Sequence, residues 1–222
     1  MNEEISKSIL KTGTSILGIV CKDGIVMAAD RQVTAGNIVM SKTAKKVFKI
    51  NDYLVGSWAG GFSDAQVLTK VVTAELKLKE LRSKTRPSVK DAANLFSMLS
   101  YRGIRQFSSI PSIVGTLVAG YNLDGTFELY SVEPAGGIIK VEDYDANFGS
   151  GMPYMLGLLE RGYKKDISAK DGIQLAIECI KSSTQRDTGS GHGIDVFIIT
   201  KDGIKQEVDE RIEPRYVADE RK

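Results

Sequence analysis

Histidine and cysteine are nearly missing from this chain of 222 residues, which holds one of the first and two of the second. A lone His192 and two unclustered thiols offer no ligand set for a transition metal, because such sites draw several donors together at short spacing. A Cys–His hydrolase would have to pair His192 with Cys21 or Cys179, and an isolated cysteine in a strand or helix pattern reads first as a small buried hydrophobe. With no signal peptide in view, the thiols read as reduced residues of an intracellular, cytoplasmic protein. No apolar run approaches the roughly 20 residues that cross a bilayer, which argues against a membrane protein. An excess of charge is lacking too. The 30 basic and 28 acidic residues are interspersed for a net charge of +2, leaving no basic stripe for nucleic acid or an anionic surface. Nor is there an internal repeat: the Lys-Asp-Gly turns at 22–24 and 201–203 only reuse the same hairpin chemistry.

What is present is ordinary globular material. Hydrophobic residues make up 42% of the chain, enough to give one domain a core without disulfides. Apolar runs at 14–21 and 25–30 flank Lys22-Asp23-Gly24, an Asp-Gly hairpin signal. Further strands are expected near 46–50 and 53–59, before Gly60-Gly61 breaks the pattern. From Ser63 the period becomes helical, with Val67, Leu68, Val71, Val72, Leu76, Leu78 and Leu81 recurring and Ser63 or Asp64 available as the cap. After Pro87-Ser88 a second helix is expected to about 106, with Ala92, Leu95, Phe96 and Leu99 on one side. Strand character returns at 112–121, 126–133, 138–141 and 144–148, helical spacing at 152–161 and 169–184, and a last hairpin at 194–200 and 204–208. Strand groups separated by helix pairs, without strict alternation, predict an α+β fold: a four-layer αββα sandwich of two stacked antiparallel sheets with helices outside. Residues 210–222 are mostly charged, and Pro214 marks them as a solvated tail or contact arm.

Gly13-Thr14 near the start has two readings. Gly-Thr before an apolar run is ordinarily the entry to a strand. It is also a candidate self-cleavage site, since cutting the Gly13-Thr14 bond would give Thr14 a free amine beside its hydroxyl. A hydroxyl is a weak nucleophile near neutral pH, but an amine of reference pKa about 7.7 to 8.0 can serve as its base.

The ordered set Thr12-Gly13-Thr14-Ser15, Ala28-Ala29-Asp30-Arg31, Lys45-Lys46-Val47-Phe48, Ala59-Gly60-Gly61, Ser63-Asp64-Ala65-Gln66, Gly149-Ser150-Gly151 and Arg186-Asp187-Thr188-Gly189-Ser190-Gly191 resembles the proteasome β subunits, most closely the archaeal type. The resemblance runs from Thr12 to about Asp209. It implies an N-terminal nucleophile (Ntn) hydrolase: residues 1–13 a propeptide removed autocatalytically, 14–209 the β domain, and a threonine peptidase that cleaves unfolded proteins without a cofactor. It also implies partners, namely proteasome α subunits and other β subunits in stacked heptameric rings, and an ATP-dependent unfoldase acting through the α ring.

Carried over position by position, the resemblance implies Thr14 as nucleophile, Lys46 as the cation that lowers nearby proton affinities, and Asp30 as the carboxylate that holds it. Ser150, Asp187 and Ser190 resemble the trio ordering the Thr14 amine and hydroxyl. Gly60 resembles the oxyanion-hole donor, and Thr34 the position that pairs with the substrate main chain by strand addition. Outside the family, Lys45-Lys46 would read as a solvated basic pair, Asp30-Arg31 as a strand-end turn, and Gly149-Ser150-Gly151 as a flexible loop. Trp58 and Phe62 stand where the family lines the pocket for the side chain before the scissile bond; as plain residues they read as core aromatics, and as pocket residues they narrow or plug it. Gln32 and Ala44 depart from the commoner arginine and glycine, so the loop before Lys46 is expected to sit differently. Two other readings stay open: a ring-building or activating β subunit with weak, partner-dependent or no cleavage, and an Ntn amidase of small molecules.

Overall fold

Side chains of a strand point alternately to its two faces, and here both faces are apolar, which leaves room for the strands only between other layers. The structure, a computed structural model, describes residues 13–213; residues 1–12 of the expected propeptide and the tail from Pro214 onward lie outside the described residues. In chain order the elements are β1 (Ile16–Cys21), β2 (Gly24–Asp30), β3 (Val33–Ala35), β4 (Ile38–Ser41), β5 (Val47–Lys49), β6 (Leu54–Gly60), α1 (Phe62–Ser83), α2 (Val89–Arg105), β7 (Val114–Tyr121), β8 (Phe127–Val132), β9 (Ile138–Val141), β10 (Tyr144–Asp145), α3 (Met152–Gly162), α4 (Ala169–Arg186), β11 (Gly193–Thr200) and β12 (Gly203–Arg211). Two five-stranded antiparallel sheets result, ordered β10-β1-β2-β11-β12 and β5-β6-β7-β8-β9, with β3-β4 as a separate hairpin.

The alternation sorts the core into three seams. Ile16, Ile25, Met27 and Ala29 of the first sheet meet Val55, Ala59, Leu117 and Leu129 of the second. The intervening residues of the first sheet, Leu17, Ile19, Val26 and Val196, turn outward onto Met155, Leu159, Ala176 and Ile180 of α3 and α4. On the other side Leu54, Val118, Tyr130 and Val132 carry Val72 and Leu76 of α1 and Ala92 and Phe96 of α2. The four-layer αββα sandwich expected from the element order is therefore the observed fold. Burial on both faces also explains why these antiparallel strands read as continuous apolar runs instead of the usual one-sided alternation.

Caps fix two of the helices locally. The Ser88 side chain accepts from the Asp91 amide while the Asp91 carboxylate accepts from the Ser88 amide, a capping box for α2. Ser168 caps α4 in the same way, through the Asp171 amide. Helix α1 departs from expectation: Gly61 occupies the cap position without a side-chain bond, so the helix starts at Phe62, directly after β6. Of its apolar residues only Ala65, Val72 and Leu76 are buried, whereas Val67, Val71, Leu78 and Leu81 form an exposed stripe. The helix has two apolar stripes and a single sheet to lie on, so its expected one-sided pattern is not observed.

Three strand expectations also change. The run 144–148 forms only the short β10, because Asn147 turns into left-handed backbone at φ 39°. The β3-β4 hairpin is an addition, closed by Gly36 at φ 61°. Strand β12 extends past the expected Asp209 boundary, since Glu210 and Arg211 still pair with Ile194 and Gly193. For function, the decisive feature is that the ladders bring chain ends together. Ile16 pairs with Ala29 and Asp30 with Ile194, so the start of β1, the end of β2 and the start of β11 meet at one end of the sandwich.

Candidate active site

At that end, the last residue of β2 and the residue before β5 form an ion pair sealed from water. Lys46 Nζ donates to Asp30 Oδ1 over 2.7 Å, and both side chains are 0% exposed. A buried carboxylate survives only when its lone pairs are filled, and Asp30 meets that condition. Oδ1 also accepts from the Ser15 amide at 2.9 Å, and Oδ2 accepts from the amides of Gln32 and Gly191, each at 2.9 Å. Burial pushes the Lys46 pKa down from its ordinary value, outweighing the opposing attraction of Asp30. The same ammonium donates to Thr14 Oγ1 at 3.0 Å.

Thr14 itself is buried, in the segment leading into β1. Its hydroxyl donates to the Gly13 carbonyl oxygen at 2.5 Å, and its amide donates to Ser150 Oγ at 3.0 Å. Ser150 and Ser190 both donate to Asp187 Oδ2, at 2.6 and 2.5 Å, and the Gly189 amide donates to Oδ1 at 3.1 Å. Ser15 Oγ lies 2.7 Å from Ser190 Oγ and 2.8 Å from Ser183 Oγ, which extends the chain of hydroxyls to helix α4. Thr34 in β3 approaches from the other side, its Oγ1 accepting from the Gly13 amide at 2.8 Å. Gln32, expected to alter this region, donates through Nε2 to the Thr188 carbonyl at 2.7 Å and so ties β2 to the 187–191 loop.

Main-chain packing makes the approach possible. A Cβ on Gly13 would lie 2.1 Å from Gly189 Cα, and one on Gly149 would lie 2.3 Å from the Thr14 carbonyl oxygen. Gly60 ends β6 at φ 123°, where a side chain would also meet the Ile113 carbonyl at 2.2 Å. The thiols stand apart from this chemistry. Burial pushes both Cys21 and Cys179 up to about 12, far from a thiolate at neutral pH.

A hydroxyl is thus held between an ammonium and the carbonyl of the residue before it, on an αββα sandwich. The profile of the proteasome subunit family matches residues 10–199. The chain belongs to the proteasome subunit family. It is 38% identical over 201 residues to the proteasome subunit beta of Methanocaldococcus fervens, covering 90% of this chain and 88% of that one. Against the proteasome subunit beta of Archaeoglobus profundus it is 41% identical over 210 residues, 93% and 94% of the two chains. Against that of Methanobrevibacter smithii it is 41% identical over 193 residues, 87% and 90%. The protein is thus a proteasome β subunit, which sets aside the small-molecule amidase reading, and the family is one of proteases.

In this β subunit Trp58 and Phe62 lie side by side. Trp58 is buried in a small cluster with Ala65 and Val114, and its ring meets Phe62 edge-on with centroids 5.6 Å apart. Beside them a cavity of about 370 Å³ remains, walled also by Ala44, Phe48, Gln66 and Lys70. Trp58 and Phe62 form part of its wall.

One network escaped the sequence reading. Lys45, read as half of a solvated pair, donates to Asp195 Oδ1 at 2.7 Å, while Arg31 Nε donates to Asp195 Oδ2 at 3.0 Å and Gln206 Nε2 to Oδ1 at 2.8 Å. Asp209 pairs with the same two cations. The available signal was an acidic residue inside the apolar run of β11, where a fully buried Asp195 requires partners. Arg31 and Lys45 adjoin Asp30 and Lys46, so this outer network clamps the two segments that carry the inner pair. Removing Asp30 should be severe, because Asp30→Ala strands a buried ammonium and three amide donors. We expect a loss of about 3–5 kcal/mol in urea unfolding of the purified subunit, partly recovered in the double variant with Lys46→Met. A loss within 1 kcal/mol would contradict the pair as described.

Proposed function

We propose that this β subunit is a threonine endopeptidase of the 20S core that first cleaves its own Gly13-Thr14 bond and then hydrolyses peptide bonds of unfolded proteins. One observation carries the reading: the Thr14 hydroxyl lies 3.0 Å from a fully buried lysine and 2.5 Å from the oxygen of the carbonyl it would attack.

In self-cleavage the Thr14 oxygen adds to the Gly13 carbonyl carbon and gives up its proton. The Lys46 charge stabilises the developing alkoxide. The carbon–nitrogen bond then breaks, the Thr14 nitrogen takes the proton, and water hydrolyses the resulting ester, releasing Gly13 as a carboxylate. The freed amine, beside Ser150, becomes the base for the next cycle. A peptide carbonyl is attacked by the Thr14 oxygen while the amine accepts its proton. The oxyanion is held at the Gly60 amide, the leaving amine is protonated, and water clears the acyl ester. Asp187, Ser150 and Ser190 orient the amine.

Strand β3 has β4 on one side only among the described strands, which supports main-chain pairing of an extended peptide along Thr34 and hence broad sequence tolerance. The cavity beside Trp58 and Phe62 would take the side chain before the cut bond. Residues 1–13 are then a propeptide, and the subunit works inside stacked seven-membered rings with α and other β subunits, fed by an ATP-dependent unfoldase in the cytoplasm. No helix among the described residues is long and apolar enough to cross a membrane.

The decisive comparison is peptide turnover by assembled particles carrying the native chain or Thr14→Ala. Turnover should fall to background and the mass of the variant should retain residues 1–13; undiminished turnover would make this a ring-building subunit. Trp58→Ala should enlarge the cavity and raise cleavage after large apolar residues several-fold, read from product masses. An unaltered specificity profile would remove Trp58 from the pocket. The kcat/KM profile should rise with pH as the Thr14 amine loses its proton, near the reference value of about 7.7 to 8.0. Because the Lys46 pKa is lowered in the fold, its charge is lost as pH rises to a value below the ordinary 10.5, so activity should decline before 10.5 is reached. A profile still flat at that pH would contradict the role given to Lys46.

A further inference from the structure

A glycine is the hardest residue to hold in one conformation, since it loses the most backbone freedom when fixed. Gly13 is nonetheless held at both ends of its own unit. Its carbonyl oxygen receives the Thr14 hydroxyl at 2.5 Å, its backbone lies against Gly189, and its amide donates to Thr34 Oγ1 at 2.8 Å in a buried bond. The last contact comes from outside the Asp30, Lys46 and Ser150 cluster, from the β3 strand. Its donor belongs to the segment that departs on cleavage.

We infer that the Thr34 hydroxyl is a positioning group for the self-cleavage step, anchoring the scissile Gly13 of the precursor in a way the mature subunit no longer needs. The inference rests on the self-cleavage reading above. Thr34 then has two separable parts. Its backbone, on the edge of β3, serves an incoming peptide, whereas its hydroxyl serves the chain's own leader. The chemistry fits a hydroxyl in particular. Gly13 presents a single N–H, and a buried N–H without an acceptor carries a desolvation penalty. With the acceptor removed, the amide would rotate toward any other partner and carry the carbonyl carbon away from Thr14 Oγ1. Reacting atoms need an approach of about 3 to 3.5 Å in fixed alignment, and an unanchored glycine would visit that alignment rarely. Once the bond is cut, Gly13 leaves, and this hydrogen bond contributes nothing to turnover of other peptides.

The test uses the full chain assembled with its α partner, in three forms: native, Thr34→Val and Thr34→Ser. Conversion of precursor to the Thr14 terminus is followed by intact mass over time. Valine keeps the shape and removes the acceptor; serine keeps the acceptor. Thr34→Val should slow conversion about tenfold or more, while Thr34→Ser converts at close to the native rate. Conversion of Thr34→Val at the native rate overturns the inference, as does failure of serine to restore conversion. If the valine form does not assemble, Thr34→Ala against Thr34→Ser supplies the same comparison. A native chain that never converts at Gly13-Thr14 overturns the self-cleavage reading and this inference with it, whereas native conversion with an unaffected valine form overturns this inference alone.

Discussion

A lysine and an aspartate with no contact with water organise one end of this protein. An ion pair placed there has little to gain from its own attraction unless every remaining donor and acceptor is matched. The fold meets that demand from several directions. Asp30 takes amides from the start of β1, from the residue two places on, and from the loop before β11 as well as the Lys46 ammonium. Filling the carboxylate therefore requires the first sheet to be assembled and the 187–191 loop to be closed. The Lys46 ammonium also donates to the Thr14 hydroxyl. The hydroxyl is positioned as a consequence of satisfying the pair.

The residues adjoining the pair extend the same logic. Arg31 and Lys45 reach the opposite way, to Asp195 and Asp209 on β11 and β12. Each dipeptide sends one side chain to the inner pair and one to the outer network, so neither segment can shift without disturbing both. A second requirement is closeness of main chain. Gly13 lies against Gly189, and Gly149 against the Thr14 carbonyl, at separations that exclude any Cβ. Such contacts bring Ser150, itself bonded to Asp187, within hydrogen-bonding range of the Thr14 amide. Rigid ladders supply the precision, since these loops are tethered to strand ends and not to one another alone.

Legibility in the sequence varied with the kind of constraint. The hairpins at Lys22-Asp23-Gly24 and Lys201-Asp202-Gly203, and the helix beginning after Ser88, follow local rules of turn and cap chemistry and stand where expected. Helix α1 was visible as a helix, yet its buried face was not, because Val67, Val71, Leu78 and Leu81 are as apolar as the residues that pack. The β3-β4 hairpin carries three exposed apolar residues in a short strand and too little alternation to register. At the site, the family resemblance carried by the ordered motifs nominated Thr14, Asp30, Lys46, Ser150, Asp187 and Ser190, and the structure gathers them. Asp195 went unread because one acidic residue in an apolar run announces a partner without naming it.

By itself the sequence determined the class of layers, the helices and turns, and the identity of the groups able to carry charge or act as nucleophile. These follow from periodicity, capping and side-chain chemistry, all of which act over a few residues. Tertiary structure alone decided which of two adjacent lysines is buried and which half-exposed, that Trp58 borders a cavity, and which hydroxyl receives the Gly13 amide. Those outcomes depend on contacts between residues up to 178 positions apart, as for Arg31 and Asp209, where sheet pairing sets the distance and no local preference can.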